Sequence, residues 1–154
     1  MALVWNCCTD ETVEFSYTNT GKPFLSDYSN IYFNLSHSKN VVACAVANRE
    51  VGVDIQNILP ISEKVAKKVL TSSEYTEYRN SLQPDEYFCK IWTIKESNLK
   101  KTGKGITIEL NGLSADSIND KMIYKINNYV CCVCGPELEV KYLRREDIEQ
   151  LRHR

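Results

Sequence analysis

Glycine and proline are scarce in this chain, six and four among 154 residues, and neither internal repeats nor low-complexity linkers divide it. One compact domain with a sizeable core is the expectation at that length. Charge of one sign is missing too. The formal net charge is −1, which excludes the broad basic field of a nucleic-acid binder. No apolar stretch approaches a membrane span. The start, Met1-Ala2-Leu3-Val4-Trp5, has no basic region and soon turns polar, so no secretory signal is expected there and no membrane partner. With two histidines and no paired C-x-x-C spacing, a structural zinc site is excluded as well.

Cysteine is the one residue present in surprising number. There are seven, an odd count, and Cys7-Cys8 are adjacent, which disfavours mutual bonding. Cys131, Cys132 and Cys134 fall in the apolar run Tyr129–Cys134. That run reads as a core strand, where a free thiol acts as a small hydrophobe. Structural thiols in a reducing cytoplasm are the expectation.

The pattern along the chain is α+β. Ile31 to Leu35 and Val41 to Ala47 read as strands, the second apolar on both faces and therefore buried. Asn48-Arg49-Glu50 turns into a third strand, Val51 to Ile55. Pro60 and Ser62 open a helix with Val65, Ala66, Val69 and Leu70 on one side, and Thr71-Ser72-Ser73 signals another start. A long helix begins at Pro84-Asp85-Glu86 and ends before Gly103 and Gly105. Strands are expected at Ile106 to Leu110, Lys121 to Ile126, Tyr129 to Cys134 and Glu139 to Leu143, with a tight turn at Asn127-Asn128. A short helix from Arg145 to Leu151 closes the pattern.

Two segments carry chemistry. In the long helix Phe88, Ile91, Trp92 and Leu99 recur at helical spacing, and Glu96 shares a face with Lys100 four residues on. Lys95 lies in line with Phe88, Trp92 and Leu99, so a charge falls on the apolar stripe, which is costly unless the ammonium reaches a partner or water. In the third strand Val51, Val53 and Ile55 face one way, while Gly52, Asp54 and Gln56 face the other. Gly52 leaves room beside Asp54 for a ligand close to the backbone. Two carboxylates and two lysines are the parts that hold a divalent cation against a pyrophosphate. Taken singly, Glu96–Lys100 also reads as a solvated helix pair and Asp54 as a turn-former.

The segments Gly21-Lys22-Pro23, Phe33-Asn34-Leu35-Ser36-His37-Ser38, Val51-Gly52-Val53-Asp54-Ile55, Trp92 through Lys100, and Gly103-Lys104-Gly105 follow one another in the order found in a known family. The chain resembles the 4′-phosphopantetheinyl transferases of the long, surfactin-synthetase-activating (Sfp) type. The resemblance implies an antiparallel sheet packed against a long helix. It also implies that residues 1–50 are the remnant of a first lobe and 51–154 a second lobe, in one domain. Twenty residues precede Gly21, fewer than in the family, so a shortened first lobe is the expectation.

The activity so implied moves the 4′-phosphopantetheine arm of coenzyme A onto a serine of an acyl- or peptidyl-carrier protein, releasing 3′,5′-ADP, with magnesium. Asp54 and Glu96 are the expected Mg2+ ligands. Gln56 stands where many bacterial relatives carry a third, acidic ligand, and its neutral amide binds a hard cation less strongly. Lys100 is expected to neutralise or protonate the leaving phosphate and Lys95 to hold nearby phosphate oxygens. Lys22, Ser36 and His37 would grip the nucleotide of coenzyme A, and Glu74 or Glu96 would accept the serine proton. Two other readings stay open. One is a non-catalytic remnant that binds coenzyme A or a carrier protein; the other is an unrelated acidic metal-dependent hydrolase. The shortened first lobe leads to one further expectation: a homodimer, or residues 1–20 folding back over the exposed face.

Overall fold

In a computed structural model, the structure describes residues 14–103, 109–144, 146 and 147. The elements run β1 (Phe15–Tyr17), β2 (Pro23–Leu25), β3 (Tyr32–Ser38), β4 (Val41–Ala47), β5 (Gly52–Asn57), α1 (Glu63–Val69), α2 (Ser72–Asn80), α3 (Pro84–Thr102), β6 (Lys121–Ile126) and β7 (Tyr129–Cys134). Short 3-10 turns at Leu110–Gly112 and Ala115–Ser117 connect α3 to β6. The expected strands at 31–35, 41–47, 121–126 and 129–134 are present, the first displaced toward Ser38.

β5, β7 and β6 form one antiparallel sheet in that order, with Asp54 opposite Cys132. The β6–β7 turn uses Asn127 at φ 52°, a left-handed position that asparagine tolerates better than most residues. Period-two alternation divides the sheet's two faces. On one face Cys132 and Cys134 join Phe88, Ile91, Ile94 and Leu99 of α3 in a buried cluster. On the other, Val53, Ile55, Cys131 and Val133 pack against Ala45. The thiols are therefore core residues, and burial pushes Cys131 up to about 12.

α3 starts with proline in its first turn and ends at Gly103 in the left-handed conformation, φ 65°, as its punctuation predicts. It lies so close to β5 that Gly52 has no room for a side chain. A Cβ there would run into the Ser97 carbonyl oxygen and the Lys101 amide, and would lie 2.9 Å from the Lys101 Cα. The space read as room for a ligand is filled by helix backbone. Glycine is needed for packing.

The β3–β4 hairpin corrects a second expectation. Ala45 is buried, but Val42 on the opposite face is 70% exposed and Leu35 across from Cys44 is 52% exposed, so β4 is covered on one side only. The region Glu139 to Leu143 is irregular. Leu110 begins a 3-10 turn; the remainder of the expected strand at 106–110, most of the expected C-terminal helix and the first thirteen residues lie outside the described residues. No helix among the described residues is long and apolar enough to cross a membrane.

β3 reaches β5 without a backbone ladder. Asn34 Oδ1 accepts the Val53 amide at 2.9 Å, Ser36 Oγ the Ile55 amide at 3.2 Å, and Ser38 Oγ the Asn57 amide at 3.0 Å. Each pair is 19 residues apart, so the two strands run parallel in a fixed register. Side chains here satisfy amides that would otherwise be buried orphans at the sheet edge.

Candidate active site

Asp54 projects from β5 toward α3 and is 2% exposed. A charge so buried needs partners, and it has three. Oδ1 accepts from Lys100 Nζ at 2.6 Å and from Ser36 Oγ at 2.9 Å. Oδ2 accepts from Gln56 Nε2 at 3.3 Å. Lys100 Nζ also donates to Ser36 Oγ at 3.0 Å. β5 itself, the neighbouring strand β3 and the helix α3 thus converge on one carboxylate.

Glu96 sits one turn before Lys100 on α3 and is buried. Its Oε1 has no hydrogen-bond partner among the described residues. Burial, and then the charge of Asp54, push its carboxyl above the ordinary range, against a smaller opposing pull from Lys100. The arrangement is two buried carboxylates and one ammonium, with an unused carboxylate oxygen. Its chemical deficit is positive charge.

A divalent cation fits that deficit. Among the described residues no group of three or more His, Cys, Asp or Glu gathers, so a closed protein cage is absent. Magnesium does not require one, since it is commonly held by one or two carboxylates, waters and substrate phosphates. The unpartnered Oε1 of Glu96, on a carboxyl close enough to feel the Asp54 charge, is the observation that fits such an ion. Gln56, expected as a third ligand, offers Asp54 its amide nitrogen. In this state it stabilises the aspartate rather than presenting an acceptor.

Lys95 and Glu74 lie elsewhere. Lys95 Nζ is fully buried and donates to Glu74 Oε2 at 2.6 Å, to the Val69 carbonyl at 2.7 Å and to the Leu110 carbonyl at 3.0 Å. An ammonium has three donors, and none remains for a phosphate. Glu74 is equally committed: Oε2 also accepts the Thr71 amide at 2.8 Å and Oε1 the Ala115 amide at 2.8 Å. Thr71 and Glu74 form a reciprocal capping box at the start of α2. These two expected site residues instead tie α1, α2, α3 and the 3-10 turns together.

The nucleotide-side residues divide as well. Ser36 is buried against Asp54, whereas alternation turns His37 to the opposite, exposed face of β3, across from Val42. Lys22 donates from Nζ to the Lys101 carbonyl at 2.7 Å, completing the last turn of α3. Burial lowers its pKa, with Glu50 opposing. Asn34 and Ser38 belong to a segment that carries the family resemblance but were assigned no role by sequence; the available signal was the polar alternation Asn34, Ser36, Ser38 within a strand.

Residues 50–134 match the family described as the 4′-phosphopantetheinyl transferase superfamily. The chain is 35% identical over 104 residues to "4′-phosphopantetheinyl transferase Sfp" of Bacillus subtilis, covering 66% of this chain and 46% of the relative. It is 38% identical over 121 residues to "4′-phosphopantetheinyl transferase gsp" of Aneurinibacillus migulanus, covering 77% and 50%. It is 41% identical over 102 residues to "4′-phosphopantetheinyl transferase HetI" of a Nostoc species, covering 61% and 43%. It therefore spans about half the length of the curated relatives it matches. A solved holo-[acyl-carrier-protein] synthase of Thermotoga maritima gives a TM-score of 0.41 at 16% identity over 55% of this chain and 60% of that one, a likeness too slight to argue from. With the matched span covering the Asp54 strand, the Glu96–Lys100 helix and the sheet that joins them, the chain belongs to the 4′-phosphopantetheinyl transferase superfamily.

Proposed function

We propose that this chain transfers the 4′-phosphopantetheine arm of coenzyme A to a serine of an acyl- or peptidyl-carrier protein, with Mg2+. The observation that carries the reading is the meeting of Asp54, Glu96 and Lys100 at one buried place, with Glu96 Oε1 unpartnered. Asp54 and Glu96 would hold the cation, which when bound supplies charge neutralisation across a pyrophosphate. In the reaction the serine Oγ–P bond forms, the bridging P–O bond breaks, and 3′,5′-ADP leaves.

Glu96 accepts the serine proton in this proposal. Its Oε1 has no donor among the described residues and is free to take a proton, whereas both oxygens of Glu74 are already occupied. Lys100, released from Asp54, neutralises the leaving phosphate. His37, exposed, and Lys22, with two donors beyond the Lys101 carbonyl, take the nucleotide phosphates. Residues 1–50 serve as the end of a first lobe and 51–154 as the second. The exposed apolar face with Leu35 and Val42 supports self-association, and the free cysteines suit a reducing cytoplasm.

The test incubates the protein with coenzyme A, magnesium and apo carrier proteins, and looks for the mass gain of the phosphopantetheine arm. Asp54→Ala should lower turnover on the order of 100-fold or more, since it removes a ligand of the charge-stabilising ion. No mass gain on any carrier, with coenzyme A still bound, would leave a non-catalytic binder.

A further inference from the structure

We propose that Asn34, Ser36 and Ser38 are positioning residues: a side-chain ladder that seats β5 and, through the Ser36 hydroxyl, aims Asp54 Oδ1 at its cation. The inference rests on the reading of Asp54 and Glu96 as cation ligands. It assigns the polar residues of the Asn-Leu-Ser-His-Ser segment to the metal side of the site and leaves only His37 facing outward.

Three rungs at a constant offset of 19 residues make the ladder, and only the middle one extends into the site. A serine hydroxyl has one proton and two lone pairs. The proton of Ser36 goes to Asp54 Oδ1, while its oxygen receives the Ile55 amide and Lys100 Nζ. Nothing is left for a nucleotide phosphate. The Ile55 amide fixes where the oxygen sits, so the hydroxyl points at Asp54 with little freedom. Asn34 and Ser38 hold the flanking amides, Val53 and Asn57, and keep β3 and β5 from sliding past each other. The three rungs share the task of holding that register, and only the middle one touches Asp54.

Manganese alone, titrated into the whole chain without coenzyme A and followed by the electron paramagnetic resonance of the free ion, reads the effect. Ser36→Ala should weaken Mn2+ about tenfold or more, as expected for losing a hydrogen bond to a charged group. Ser36→Thr, which keeps the hydroxyl, should restore the affinity. Ser38→Ala removes a rung but no contact with Asp54; it should lower stability and leave Mn2+ affinity within about threefold, below the effect of a charged-group hydrogen bond. At saturating magnesium, Ser36→Ala should lower kcat while the KM for coenzyme A stays put.

Equal Mn2+ affinity in wild type and Ser36→Ala overturns the proposal. So does a Ser38→Ala chain that loses as much affinity as Ser36→Ala, or a rise confined to the KM for coenzyme A. Hydrogen exchange judges the ladder independently of any ion. The Ile55 amide should be protected in the wild-type chain, and an unprotected one refutes the rung even if Ser36→Ala fails to fold. If wild type and Asp54→Ala are equally indifferent to Mn2+ while Ile55 is protected, the cation reading is what has failed, and the aiming role falls with it.

Discussion

Replacing Lys95 by methionine would keep most of the stem that packs among the apolar residues of α3 and delete the ammonium. The surroundings make the loss expensive. Lys95 is fully buried, Glu74 is 4% exposed, and Nζ holds one carboxylate and two carbonyls. Removing one partner of such a pair leaves a buried charge uncompensated, at about 3–5 kcal/mol. At this chain length each kcal/mol moves Tm by roughly 2–4 °C, so a drop on the order of 10 °C follows. Urea unfolding should show it as a lower midpoint with unchanged slope. Adding Glu74→Gln should recover part of the loss, because the neutral amide oxygen still serves the Ala115 amide while the stranded charge is gone.

The pH dependence has a definite sign. Burial raises the Glu74 carboxyl, but the Ala115 amide, Lys95 and the Thr71 amide together outweigh it and hold the group below the ordinary range. Its contribution is therefore present at neutral pH and lost as the pH falls through that lowered value. A Lys95→Met chain with stability within about 1 kcal/mol of wild type, yet impaired in binding coenzyme A, would refute this account and return Lys95 to the phosphates.

Glu96 should behave in the opposite sense. Its carboxyl is raised by burial and by Asp54, so in metal-free buffer its contribution is fully present at low pH and is lost as the pH rises through the raised value. Glu96→Gln should then be more stable than wild type at neutral pH while losing turnover; a destabilised variant in thermal melts would contradict the unpartnered state of Oε1. Lys100 Nζ stands 2.6 Å from Asp54 Oδ1, where a cation would carry the same charge. Lys100→Met should therefore bind Mn2+ more tightly, by about tenfold for the loss of a charge-assisted contact, and still turn over more slowly. Weaker Mn2+ binding would show that the ammonium does not compete for that oxygen.

Local features of the fold were readable because local physics sets them. The Thr71 cap, the proline at the start of α3, the glycine at its end and the Asn127 turn each depend on a few neighbouring residues. The apolar run of β7 needed no partner to be recognised as a core strand. What sequence could not supply was the neighbour across space. β4 reads as buried on both faces, yet Val42 is exposed, because alternation says which residues share a face and not whether anything covers it. Gly52 reads as room; the space belongs to the Ser97 and Lys101 backbone. A missing side chain leaves the same blank in sequence whether a ligand or a helix fills it.

Lys95 and Glu96 make the point most sharply. A helix turns by about 100° per residue, so adjacent charges on α3 face different surroundings. The apolar stripe already required Lys95 to find a partner, and it has one in Glu74. That partner was some twenty residues away and had been assigned to catalysis on its own. Pairing the two removes a phosphate ligand and a base together, and concentrates the chemistry on what remains. Asp54 is neutralised by Lys100 and held by Ser36, and Glu96 is left with an oxygen that no donor serves. An unmet carboxylate in a buried site costs stability, and α3 bears that cost one residue after a saturated lysine. On adjacent positions of one helix, Lys95 is saturated within the core while Glu96 keeps an oxygen without a donor among the described residues.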